Sequence, residues 1–144
     1  MSLRKAVVGI VFLKEDVTKF LVLRRKLGWQ GWEFPKGGME RKDMDVEEAA
    51  LKREIEEETG LKNVRVLSKM PFEIRYDYPI KYRDKYKHTG TVQSVFLVRS
   101  FSSEVRLSLE HDEFVWLPYE DALKKLTFAD QKKALEVAWK ELNN

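Results

Sequence analysis

Apolar and polar positions along this chain fall into short blocks of two different periods. Residues 6–13 form an apolar run of strand length, rich in β-branched side chains and buried-looking on both faces. Residues 14–19 are polar and charged and predict a turn. Phe20-Leu21-Val22-Leu23 returns as a second strand, so the pair predicts a hairpin. Residues 26–38 hold Gly, Trp and Pro35 and predict mostly loop. From 46 to 59 the apolar spacing becomes helical, and Gly60 supplies a stop. Strands are predicted from residue 64 to Tyr76, over 91–101 and over 113–117, with a polar, aromatic, basic loop over 78–90. Pro118 opens a short helix, and Thr127 with Asp130 resembles the N-cap signature of a last helix ending at Leu142. Interleaved strands and helices predict an α/β (α+β) fold, with helices packed on a mixed sheet.

Composition narrows the class. The 144 residues, 43% apolar, suit a single domain over residues 1–144 with its own core. Without cysteine there is no disulfide, no thiolate metal site and no cysteine nucleophile. No apolar run approaches the roughly 20 residues of a membrane span, and the start does not read as a secretory signal, so a soluble, cytoplasmic protein without a membrane partner is expected. A net charge of +3 does not by itself imply a nucleic-acid partner. Its distribution says more. From Glu40 to Glu58 nine acids face four bases, whereas Lys81, Arg83, Lys85 and Lys87 face only Asp84.

The acidic stretch carries candidate chemistry. On a helix, residues three and four apart share a face, so Glu54, Glu57 and Glu58 converge while Glu56 points elsewhere. Leu51 and Ile55 form an apolar pair beside them, which sets Glu54 and Glu58 at the edge of the buried side. Crowded carboxylates repel, and oxygen-only ligands suit a hard divalent cation, Mg²⁺ or Mn²⁺, whose shell is completed by water and phosphate. The alternative is a solvated charged face, with Lys52 and Arg53 pairing locally.

The spacing decides between them. Arg53-Glu54-Ile55-Glu56-Glu57-Glu58-Thr59-Gly60-Leu61 resembles the second half of the Nudix hydrolase box at all seven specified positions. The first half departs from that box. Asp45 stands where the family has glutamate, and Met39 where it has glycine, so the loop is one residue longer and either Gly37 or Gly38 fills the glycine position. The lead-in Gly31-Trp32-Glu33-Phe34-Pro35-Lys36-Gly37-Gly38 is similar to Nudix enzymes acting on dinucleoside polyphosphates and on RNA 5′ ends. Val105-Arg106-Leu107-Ser108, Glu110-His111 and Trp116-Leu117 resemble the animal-type asymmetrical diadenosine tetraphosphate hydrolases of that family.

The resemblance implies an α/β/α sandwich around a mixed sheet and Mg²⁺- or Mn²⁺-dependent hydrolysis of a nucleoside diphosphate linked to another group. It implies Glu54, Glu57 and Glu58 as metal ligands, with Glu54 or Glu58 orienting or deprotonating water. Arg53 would orient a glutamate, and Glu110 would be a further ligand or base. Lys36, with Gly37 and Gly38, would meet phosphate, and Trp32 would shape the pocket beside Lys36. Tyr76 is expected to stack on a base, joined by Tyr82, Lys87 and His88, since aromatic rings interleaved with cations suit bases on a phosphate chain. His111 is expected to be structural or incidental. The leading substrate is a dinucleoside polyphosphate, diadenosine tetraphosphate giving ATP and AMP. The alternatives are an RNA 5′ end, a modified nucleoside triphosphate, and a catalytically silent nucleotide-binding module.

Overall fold

In the computed structural model, which describes residues 3–40 and 46–144, strands and helices alternate as the apolar pattern predicts. β1 (Leu3–Leu13) and β2 (Lys19–Arg25) form the predicted hairpin, pairing Phe12 with Phe20 and Leu13 with Lys19. There the two strands part. β2 goes on to pair with β3 (Gly31–Glu33), and β1 with β4 (Lys36–Gly38). The connection between β3 and β4 crosses the fork, and the Gly9 N–H donates to the Pro35 carbonyl at 2.9 Å. Sequence placed residues 26–38 in a loop. These three-residue strands exist because the fork offers them unpaired backbone, which local pattern does not reveal.

β6 (Gly90–Ser100) lies parallel to β1, and β5 (Val64–Asp77) lies antiparallel to β6. β7 (His111–Pro118) pairs antiparallel with β2, completing a mixed sheet. Helices cover both faces. On one, α1 (Glu47–Thr59) sets Ala50, Leu51 and Ile55 against Val7, Val11, Leu21, Leu23, Phe96 and Val98. On the other, α3 (Tyr119–Lys125) and α4 (Ala129–Leu142) bury Ala122, Leu126, Ala134, Leu135 and Ala138 on Val8, Ile10, Phe20, Val22 and Leu97. From residue 6 to residue 13, successive β1 side chains alternate between the two cores, which is why that stretch is apolar throughout. Each buried Leu or Ile contributes about 1.5–3 kcal/mol of transfer free energy.

Three expectations shift. The predicted loop over 78–90 contains α2 (Ile80–Tyr86), flanked by Pro79 and by Lys87 in a left-handed conformation. A seven-residue helix is too short for its periodicity to register. Thr127 does not cap α4, since the N-cap is Phe128 and makes no side-chain cap bond. Instead the Thr127 hydroxyl accepts the Trp32 N–H at 2.8 Å, and the Thr127 N–H donates to the Trp32 carbonyl at 3.0 Å. β7 begins at His111, two residues earlier than the alternation suggests. Among the described residues, no helix is long and apolar enough to cross a membrane.

Candidate active site

α1 is built to carry acids at the core. Glu47 and Glu48 in its first turn complement the helix dipole, and Gly60, at φ 74°, closes it by donating to the Glu56 carbonyl at 2.8 Å. Its inward stripe of Leu51 and Ile55 continues into Glu58, which is 3% exposed. Helical geometry thus puts a carboxylate where an apolar side chain would otherwise lie.

β4 receives these acids one by one. The Lys36 N–H donates to Glu58 Oε1 at 3.0 Å. Glu54 packs directly on Gly37, where any Cβ would collide with its carboxylate. Arg53 Nη2 donates to the Gly38 carbonyl at 3.4 Å, and its Nη1 donates to Glu54 Oε1 at 2.8 Å. Arg53 also pairs with Glu57 at 3.4 Å and Glu40 at 3.1 Å. One guanidinium therefore ties α1 to β4 and hydrogen-bonds Glu54 at the seam. Both Gly37 and Gly38 sit in that seam, and a Cβ at Gly38 would strike the Arg4 guanidinium. Asp45 lies outside the described residues.

The chain after β6 supplies the other wall. The Arg106 N–H donates to the Thr59 carbonyl at 2.8 Å and the Ser108 N–H to the Glu58 carbonyl at 3.4 Å, which satisfies carbonyls at the end of α1. This anchoring delivers Glu110 and His111. One carboxylate oxygen each from Glu58 and Glu110 and a ring nitrogen of His111 all lie within 4.8 Å of one another. Glu57 is not part of this group, and its side chain is 58% exposed on the Arg53 flank.

Electrostatics follow from burial. Burial pushes the Glu58 carboxyl up to about 9, and Glu110, Glu33 and Glu54 add to it against the Lys36 N–H. Burial also raises Glu54, with help from Glu57 and Glu110, and the Arg53 hydrogen bond only partly offsets it. Glu33, which sequence reasoning did not single out, is fully buried and behaves oppositely. Burial alone would raise it. The His111 hydrogen bond, Lys36, Arg25 and the Trp29 N–H outweigh that and hold it below the usual carboxylate range. His111 Nε2 is 2.9 Å from Glu33 Oε2, Arg25 Nη1 is 3.4 Å from the same oxygen, and Lys36 Nζ and Trp29 Nε1 reach Oε1 at 3.5 and 3.2 Å. Arg25 also reaches Glu110 at 3.5 Å.

Trp29, not Trp32, stands beside Lys36, with Arg25 and Lys36 over its ring at 4.0 and 4.5 Å. Trp32 points into the opposite core.

A cavity of about 270 Å³ opens on the α1 face of the sheet, lined by Lys5, Met39, Glu47, Lys69, Glu73 and Ser94. Lys69 and Ser94 both bond Glu47 there. The expected base-stacking residues do not line it. Alternation along β5 puts Glu73 on this face and Tyr76 on the other, with Ile74, opposite Thr91 and Gln93. Tyr76 is half exposed and meets Tyr78 edge-on at 5.8 Å. Tyr82 lies on α2 with Lys81 over its ring at 5.0 Å, and Lys87 and His88 follow α2.

Known proteins place this arrangement. The NUDIX domain family matches residues 3–137. The RNA pyrophosphohydrolase of Ruthia magnifica is 33% identical, covering 91% of this chain and 80% of that protein. That of a Sulfurovum species is 34% identical over 79% and 75%. Among solved structures, a C. elegans Ap4A hydrolase binary complex superposes with a TM-score of 0.82, covering 98% of both chains at 22% identity, a likeness of fold. A NUDIX hydrolase from Listeria monocytogenes gives 0.79 over 96% and 94%, at 26% identity. With the box arginine and glutamates seated against β4 in a mixed-sheet sandwich, this chain belongs to the NUDIX family of hydrolases, enzymes acting on pyrophosphate bonds.

Proposed function

We propose that this chain is a divalent-metal-dependent pyrophosphohydrolase whose substrate is a dinucleoside polyphosphate, with diadenosine tetraphosphate cleaved to ATP and AMP. The observation that carries this reading is that the segment resembling the asymmetrical hydrolases completes the site. Residues 105–108 are tied to the end of α1, and Glu110 and His111 face Glu58.

The residues fit a cation. Burying Glu58 among Glu33, Glu54 and Glu110 keeps it protonated at neutral pH, and a positive charge beside it reverses that balance. Glu54, Glu57, Glu58 and Glu110 are the residues that would hold Mg²⁺ or Mn²⁺. When bound, such an ion neutralises phosphate charge and acidifies water at the phosphorus.

The chain's own groups do the rest. Arg53 fixes Glu54 at the seam, so that Glu54 or Glu58 takes the proton of the attacking water. A P–O bond forms at the phosphorus of the departing AMP, the anhydride P–O bond breaks, and ATP leaves with the electron pair. Lys36 offsets charge on the chain of phosphates, and Gly37 and Gly38 let that chain approach the backbone. The cavity between Lys5 and Ser94 takes a nucleoside on the same face.

A second reading has its own support: the relatives named RNA pyrophosphohydrolase, together with the basic run from Lys81 to Lys87. It predicts pyrophosphate or phosphate released from 5′-triphosphorylated RNA, with affinity falling steeply as salt rises. Parallel incubation of both substrates with Mg²⁺, followed by chromatography, tests the two. ATP and AMP from the dinucleotide support the first reading. Turnover of RNA alone replaces it with the second.

A further inference from the structure

We infer that His111 is a nitrogen ligand in a mixed cation site formed with Glu58 and Glu110. The inference rests on the metal-dependent reading above and changes the chemistry of its site. Sequence reasoning gave oxygen donors alone and treated His111 as structural or incidental.

The argument begins with the ring's hydrogen. His111 is 2% exposed, and its Nε2 lies 2.9 Å from Glu33 Oε2. Glu33 is fully buried and is surrounded by Arg25, Lys36 and the Trp29 N–H, which hold it as a carboxylate. A carboxylate only accepts, so Nε2 carries the hydrogen and Nδ1 is the ring atom left to ligate. Nδ1 is buried and has no hydrogen-bond partner among the described residues. Leaving such a buried ring nitrogen unpaired carries its full desolvation cost.

The surroundings say what would satisfy it. A His111 ring nitrogen and oxygens of two carboxylates lie within 4.8 Å of one another, a span that one cation can bridge. No carboxylate among the described residues hydrogen-bonds Nδ1, whereas a divalent ion answers both carboxylates and the imidazole. Glu33, behind the ring, then has the role of the carboxylate that orients a ligating histidine and raises its basicity. That accounts for a buried charge held by four partners at the back of a site it does not enter. An imidazole beside carboxylates also shifts selectivity, favouring Mn²⁺ and Co²⁺ over Mg²⁺ more than oxygen ligands alone would.

The test is electron spin-echo spectroscopy of the purified chain loaded with Mn²⁺, with Mn²⁺ and Mg²⁺ affinities measured in parallel. The wild-type protein should show nitrogen coupling to Mn²⁺. His111→Phe should abolish that coupling and weaken Mn²⁺ more than Mg²⁺. Glu33→Gln keeps the ring but not its ionised partner, and should lower Mn²⁺ affinity about 10–100-fold. Mn²⁺ bound to the wild type without nitrogen coupling overturns the inference and leaves the metal-dependent enzyme standing. Absence of any Mn²⁺ binding overturns both. The wild-type spectrum decides even where a variant fails to fold.

Discussion

Glu58 concentrates the physical tension of the molecule in one carboxyl group. It prolongs an apolar helix stripe, accepts one backbone N–H and faces other acids. Its folded-state value of about 9 stands above the ordinary 4.5. The metal-free fold therefore keeps a proton that the unfolded chain releases, and its contribution is complete below about pH 4.5 and lost as pH rises towards 9. The loss amounts to a few kcal/mol. Thermal melts of metal-free protein should show Tm falling across this window, and Glu58→Gln should flatten the fall. Added Mg²⁺ should raise Tm more on the alkaline side of neutrality than on the acid side. A metal-free Tm that rises with pH, with no difference in the variant, would contradict this account of Glu58. At this scale the sequence was legible where spacing is local. Arg53, Glu54 and Glu58 stand on one helix and meet as read. Glu57 shares their spacing yet turns outward, because it lies about 100° of helix rotation from Glu58, on the Arg53 flank. Glu33 and Arg25 were not legible. Glu33's partner His111 is 78 positions away, and only the pairing of β7 with β2 brings them together.

Between elements, the seam of α1 on β4 sets the geometry. Gly37→Ala should push the Glu54 carboxylate off that seam, since the new Cβ would occupy its place. Steady-state kinetics should show kcat falling by about two orders of magnitude with KM little changed, as a 1 Å misplacement can cost that much. Arg53→Lys keeps the charge but cannot span Glu54 and the Gly38 carbonyl together. It should lower kcat by at least about tenfold while leaving the melting curve nearly in place. Gly60→Ala should instead act on stability. Its φ of 74° disfavours a side chain, and the Cβ would come within 3.2 Å of Arg106. Chemical denaturation should register a loss of about 1–2 kcal/mol. The long helices and buried strands were readable because period and length agree. β3, β4 and α2 were not, since three or seven residues carry too little pattern and their partners lie elsewhere in the chain. The face on which Tyr76 lies was likewise not readable, because it depends on the register of β5 against β6.

Across the whole molecule, the net charge of +3 hides a division of labour. Acids of α1 and Glu110 gather at the seam, while Lys36 stands in the lead-in and Lys5 and Lys69 line the cavity on the α1 face of the sheet. A metal–polyphosphate complex has the charges to join the two. The segment after β6 has no strand or helix period, and its sequence speaks only through its family resemblance, yet it fastens the end of α1 and presents Glu110 and His111. The most direct test of this arrangement is Mg²⁺-dependent turnover of diadenosine tetraphosphate by the wild type and Glu58→Gln side by side, with products resolved by chromatography. The account predicts ATP and AMP in equal amounts from the wild type, and a rate several orders of magnitude lower from a variant that stays folded. Two ADP as products, no turnover by the wild type, or an unchanged rate in Glu58→Gln would contradict it.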